Sequence, residues 1–178
     1  MSSAQITVVA LAAVLLFWAV GAYNRLMELR NRILRGFAPL DQQLGLRHAL
    51  LQRQIDALEP LLPEHFETLA ALRAACVQAQ AAASLARSRP GASGAVNSLR
   101  LAEDILLTTR AKLPPMVTQD SGLPDLADLD QRIAAADAAL QFARGRFNDA
   151  VMEYNRAVQQ FPTRLLAGLF GFRLAGAL

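Results

Sequence analysis

Cysteine, histidine, tyrosine and tryptophan are all scarce in this sequence of 178 residues, with one Cys, two His, two Tyr and one Trp. A single thiol, Cys76, cannot close an internal disulfide, so a disulfide-held scaffold is excluded. It also lies too deep in the chain to be a lipidation site behind a leader. Its place between Leu72 and Ala79 suits core packing, and a nucleophilic role would need a base held against it. His48 and His65 have no second His or Cys three or four residues away, so the spacing of a zinc site is missing and neither metal nor other cofactor is expected. No glycine loop runs into a Gly-Lys-Ser/Thr phosphate cradle. Glu103-Asp104 and the acids from Asp125 to Asp130 read as helix-start residues, placed for capping and dipole effects. No catalytic residue is assigned.

Lysine is also nearly missing, because 17 of the 18 basic residues are arginine. These are dispersed among 15 acids, for a net charge of +3 and a pI of about 9.7. No basic run interleaves with aromatics, so the sequence predicts a mixed solvated surface and no nucleic-acid partner. Alternating apolar and polar residues over strand length are missing too, which leaves an all-α chain.

Charge is missing altogether from Met1 to Asn24. The apolar stretch Ile6–Ala22 meets the need for about 20 residues to cross hydrocarbon. A cleaved leader would carry a basic segment before a short apolar core, and no basic side chain precedes this one. Phe17, Trp18 and Tyr23 fit the membrane interface, and Arg25, Arg30, Arg32 and Arg35 follow with Glu28 the only nearby acid. The positive-inside rule predicts a single-pass protein with its N-terminus outside and its body cytoplasmic.

Beyond the span the apolar residues keep helical stride. Leu26, Leu29, Ile33, Phe37, Leu40, Leu44, Leu51, Ile55, Leu58 and Leu62 form one stripe, continuous with the span, with a bend expected at Pro39. Glu59–Pro63 breaks it. A second helix, opened by Pro63, is expected to run to about Arg87, and Ser88–Gly94 forms a loop. A third helix is expected over Ala95–Lys112, then an irregular connection over 113–124. The fourth, Asp125–Gln160, has the most regular seam, from Leu126 to Phe161, and would reach about 54 Å. The expectation is a transmembrane helix continuing into an antiparallel four-helix bundle with long first and last helices. Its parts are an anchor over 1–24, a bundle over 25–162 and an apolar tail over 163–178. An even number of antiparallel helices returns the chain to the membrane. Trp18 and the tail residues Phe161, Leu165, Leu169, Phe170 and Phe172 are therefore candidates for membrane or partner contact. Lipid contact and packing against protein remain equal alternatives for the tail.

Two stretches carry a resemblance. Tyr23-Asn-Arg-Leu-Met-Glu-Leu-Arg-Asn-Arg-Ile33, then Asp41-Gln-Gln-Leu44, resembles a motif of the LemA family. Arg146-Phe-Asn-Asp-Ala-Val151, Tyr154-Asn155, Phe161-Pro162 and Gly168-Leu-Phe-Gly-Phe172 resemble that family's C-terminal ending. The resemblance implies a membrane-anchored helical bundle, N-terminus out, and brings no catalytic residues. Read from the residues, the motif polar groups sit among apolar helix positions. Tyr23, Asn24, Arg30, Asn148, Tyr154 and Asn155 are predicted to form a structural polar cluster that fixes helix register. The function expected is a non-enzymatic scaffold of the bacterial inner membrane, binding lipid, a further copy of itself or an unidentified protein partner. The alternative is a signalling adaptor or sensor that relays a membrane state to a cytoplasmic enzyme.

Overall fold

A computed structural model describes residues 2–113 and 124–178; the expected connection over 113–124 lies outside the described residues except at its ends. The described residues fold into helices with no strand. α1 is Ser3–Leu58, α2 Phe66–Ser88, α3 Ser93–Arg110, α4 Pro124–Gln159 and α5 Thr163–Leu169. A single 3₁₀ turn, Pro63–His65, leads into α2.

α1 starts on a capping box. The Ser2 side chain accepts from the Gln5 N–H, and the Gln5 side chain accepts from the Ser2 N–H, so two otherwise orphaned donors are satisfied. The helix runs 56 residues without stopping at Pro39. Its burial is divided: residues 3–24 are largely exposed and the first buried side chain is Leu26. The free segment is therefore about 33 Å long, close to the hydrocarbon thickness of a bilayer. Its most apolar window has a mean hydropathy of 2.3 and none of it is buried. The stretch Pro63–Ser88 reaches only 1.2 and is 39% buried, so its apolar face belongs to the bundle.

From Leu26 onward the stripe faces α4, which packs along α1 over most of the body. Phe37 and Phe147 meet edge to face at 5.7 Å between centroids, the geometry that aligns ring edge with ring face. α2 buries Ala75, Cys76, Ala79, Ala83 and Ala86, small side chains that let it lie close to α3 and α1. Cys76 is fully buried, as its seam position required.

The core comes in two clusters. One, beside the free end of α1, runs from Leu26 to Leu44 and takes in Val96, Leu99, Phe147, Val151 and Tyr154. The other runs from Leu50 to Leu58 with Leu69, Leu72, Leu106 and Ile133. Helix boundaries differ by one to three residues from the sequence expectation: α2 begins at Phe66, three residues after Pro63, because Pro63–His65 forms a 3₁₀ turn, and it ends at Ser88, one past Arg87. α3 begins at Ser93, ahead of Ala95, because the loop tightens into the helix at Ala92. It ends at Arg110 ahead of Lys112, and α4 at Gln159 ahead of Gln160.

Candidate functional site

The tail folds back on the bundle instead of running free. α5 ends at Leu169, and Gly171 adopts a φ of +71°, a left-handed conformation that glycine takes without Cβ strain. The Phe172 N–H donates to the Ala167 carbonyl at 2.9 Å, closing the turn. Residues 172–178 then run extended, opposite in direction to α4.

α4 grips this strand-like segment with two asparagines. Asn155 donates from Nδ2 to the Ala175 carbonyl at 2.9 Å and accepts from the Ala175 N–H at 2.8 Å. Asn148 treats Leu178 the same way, at 2.7 and 2.9 Å. Between them Tyr154 donates its hydroxyl to the Arg173 carbonyl at 2.9 Å, and its own burial pushes its pKa up. The spacing has a geometric reason. Seven residues of helix advance about 10.5 Å and three extended residues about 10 Å. Side chains at i and i+7 therefore meet alternate ends of one short extended run.

The six residues expected to cluster are thus divided. Asn148, Tyr154 and Asn155 converge on the tail backbone. Tyr23 stands beside the same tail, edge-on to Phe170 at 5.2 Å and to Phe172 at 5.7 Å. Asn24 and Arg30 are exposed and make no side-chain hydrogen bond among the described residues, but Arg30 stands close enough to Tyr154 to share a cleft with it. Tyr23 closes the apolar span, so the tail turn lies level with the end of that span. Phe161, Leu165, Leu169 and Phe170 are exposed there, between 55 and 78%. Trp18 is 38% exposed on the free segment, whereas Phe172 packs on the core.

The sequence pattern does not reveal a partly buried ionic belt between the two core clusters. Arg47 enters the interior with a side chain 4% exposed; it pairs with Glu103 and, at 3.3 Å, with Asp137. Arg110 reaches the other Asp137 oxygen at 3.4 Å, and Gln54 donates to Asp130 at 2.5 Å. Glu103 and Asp130 therefore do not serve as the helix-start residues the sequence suggests. Glu103 lies mid-helix in α3, facing α1, and Asp130 lies beyond the first turn of α4. The available signal was register: Arg47 and Gln54 continue the stride of Leu40, Leu44, Leu51 and Leu58, where apolar residues belong.

His48 Nε2 lies 2.7 Å from a Glu103 carboxyl oxygen, within hydrogen-bond distance. Burial, and then the Arg47 guanidinium, bring the His48 pKa down to about 4, so it is neutral at pH 7. Burial also raises the Cys76 thiol pKa, which makes it a weaker nucleophile. Among the described residues no group of three or more His, Cys, Asp and Glu could hold a metal ion.

A long free apolar helix, a helical body and a tail pinned to that body define an all-α protein whose N-terminal helix is compatible with a membrane anchor. The sequence profile of the LemA family matches residues 37–177, and the chain belongs to that family. No curated protein and no solved structure matches it.

Proposed function

We propose that this chain is a non-enzymatic, membrane-anchored scaffold of the bacterial inner membrane. Residues 1–24 span the bilayer and the body organises lipid, further copies of itself or a protein partner. One observation carries this reading. The lipid-compatible segment is continuous with the bundle, Phe170 meets it at Tyr23, and Phe161, Leu165 and Leu169 are exposed on and beside the short helix that packs against α1. Large apolar side chains exposed in this way favour membrane or protein contact over water.

The test is the mass and image of the full chain purified in mild detergent. A ring, cage or sheet supports scaffolding, and a lone monomer counts against it. Leu165→Ser with Leu169→Ser should shift the particle toward monomer without unfolding the bundle, because both side chains are exposed. The adaptor reading draws on the ionic belt at mid-bundle, where a change in charge would act on α1, α3 and α4 together. A protease or kinase co-purifying with the full chain would favour it.

A further inference from the structure

A cleft of about 510 Å³ opens beside the tail clamp, between α1, the α2–α3 turn and residues 171–175. Such a volume is within the usual range for a small-ligand site. Three arginines line it from three separate segments: Arg30 from α1, Arg89 from the turn and Arg173 from the tail. No carboxylate lines it, and among the described residues none of the three makes an ion pair. α3 also starts at this rim with no side-chain cap on its first turn, so its positive end adds to the field. Ile33, Leu34 and Phe172 give the wall an apolar stretch, beside the hydroxyl-bearing Ser88, Ser93 and Tyr154.

We propose that this cleft binds the phosphodiester headgroup of an anionic phospholipid, with the start of its acyl chain against Ile33, Leu34 and Phe172. The proposal rests on the reading of residues 1–24 as a membrane anchor. Convergent guanidinium groups recognise phosphate oxygens by paired N–H donors, and an adjoining oily wall selects an amphiphile over a free ion. Position commits the site to a lipid source. Phe172 forms part of the wall and also touches Tyr23, where the span ends. Arg30 lies about 10.5 Å further along α1, and helical side chains lean toward the helix N-terminus, here toward the membrane. The headgroup layer itself occupies about 5–8 Å beyond the hydrocarbon.

The full chain in mild detergent, mixed with dioleoyl phosphatidylglycerol or dioleoyl phosphatidylcholine, would be weighed by native mass spectrometry. Retention of the glycerol lipid over the choline lipid is expected. Arg30→Gln with Arg173→Gln should weaken that retention about tenfold or more, since each arginine near an anionic surface contributes measurably. Arg53→Gln with Arg146→Gln removes the same charge outside the cleft and should leave it unchanged. All four side chains are exposed, and circular dichroism would verify the fold. Equal loss in both variants, equal retention of both lipids, or displacement by millimolar inorganic phosphate would overturn the proposal. Alkaline extraction of membranes carrying the native chain separates the two failures. If the chain stays with the membranes but shows no lipid preference, the cleft proposal falls alone. If it is released, the anchor falls and the cleft proposal with it.

Discussion

Arg47 and Phe147 stand for two ways of fixing this bundle. Phe147 is fully buried against Phe37, so Phe147→Ala should cost about 3–5 kcal/mol by lost burial and an unfilled cavity. Chemical denaturation read by helical ellipticity would measure it. Arg47 stabilises less than it specifies: a buried guanidinium loses hydration that its partners roughly restore, yet only one helix register lets it meet Glu103 and Asp137. His48 adds a pH dependence whose sign follows from its lowered pKa. The folded protein resists protonating His48, whereas the unfolded chain takes up the proton near pH 6.5. The stability from neutral His48 is therefore full above about 6.5 and is lost as pH falls toward 4. Between pH 7.5 and pH 5 the loss should be about 2 kcal/mol. Comparing melts of the native chain and His48→Gln at both values isolates it; equal pH sensitivity in the two would refute the assignment.

At the scale of elements, the tail segment is held to the bundle chiefly through hydrogen bonds from α4 side chains to its main chain. Phe172, Ala175 and Leu178 pack on the core, and Asn148, Asn155, Tyr154 and a close approach of Gly176 to α3 fix its main chain. A Cβ on Gly176 would sit 2.7 Å from the Ser93 Cα, a main-chain atom that cannot swing aside. Gly176→Ala should therefore lift the tail from α3. Asn155→Ala should loosen it by about 1–2 kcal/mol through two lost hydrogen bonds. Hydrogen exchange would show both as faster exchange at Ala175 with the bundle amides little changed. The helices themselves were legible in the sequence because each buries a stripe, and Leu26 to Leu58 or Leu126 to Val158 repeat at helical stride. The clamp was half legible. Asn148 and Asn155 were visible as polar residues in apolar surroundings. Their partners were not, since an extended main chain leaves no side-chain signature. The ionic belt was illegible as a network because Arg47, Glu103 and Asp137 are joined only by the packing of three helices. Only the misplaced register of Arg47 and Gln54 announced it.

Over the whole molecule, the polarity is longitudinal. A free apolar helix lies at one end, exposed Phe and Leu side chains and the arginine-lined cleft at its base, and the ionic belt deeper in the body. The arginines after Asn24 predict that the body faces the cytoplasm. A cysteine introduced at the exposed position Ala70 should resist an impermeant thiol reagent in intact cells and react once the membrane is opened. Reaction in intact cells would reverse the orientation. The claim beneath all of this is that residues 1–24 cross a bilayer while still joined to the bundle. Alkaline carbonate washing of membranes from cells making the full chain tests it most directly. The account predicts that the intact 178-residue chain sediments with the lipid; its release into the wash, whole or shortened by its first two dozen residues, would contradict it.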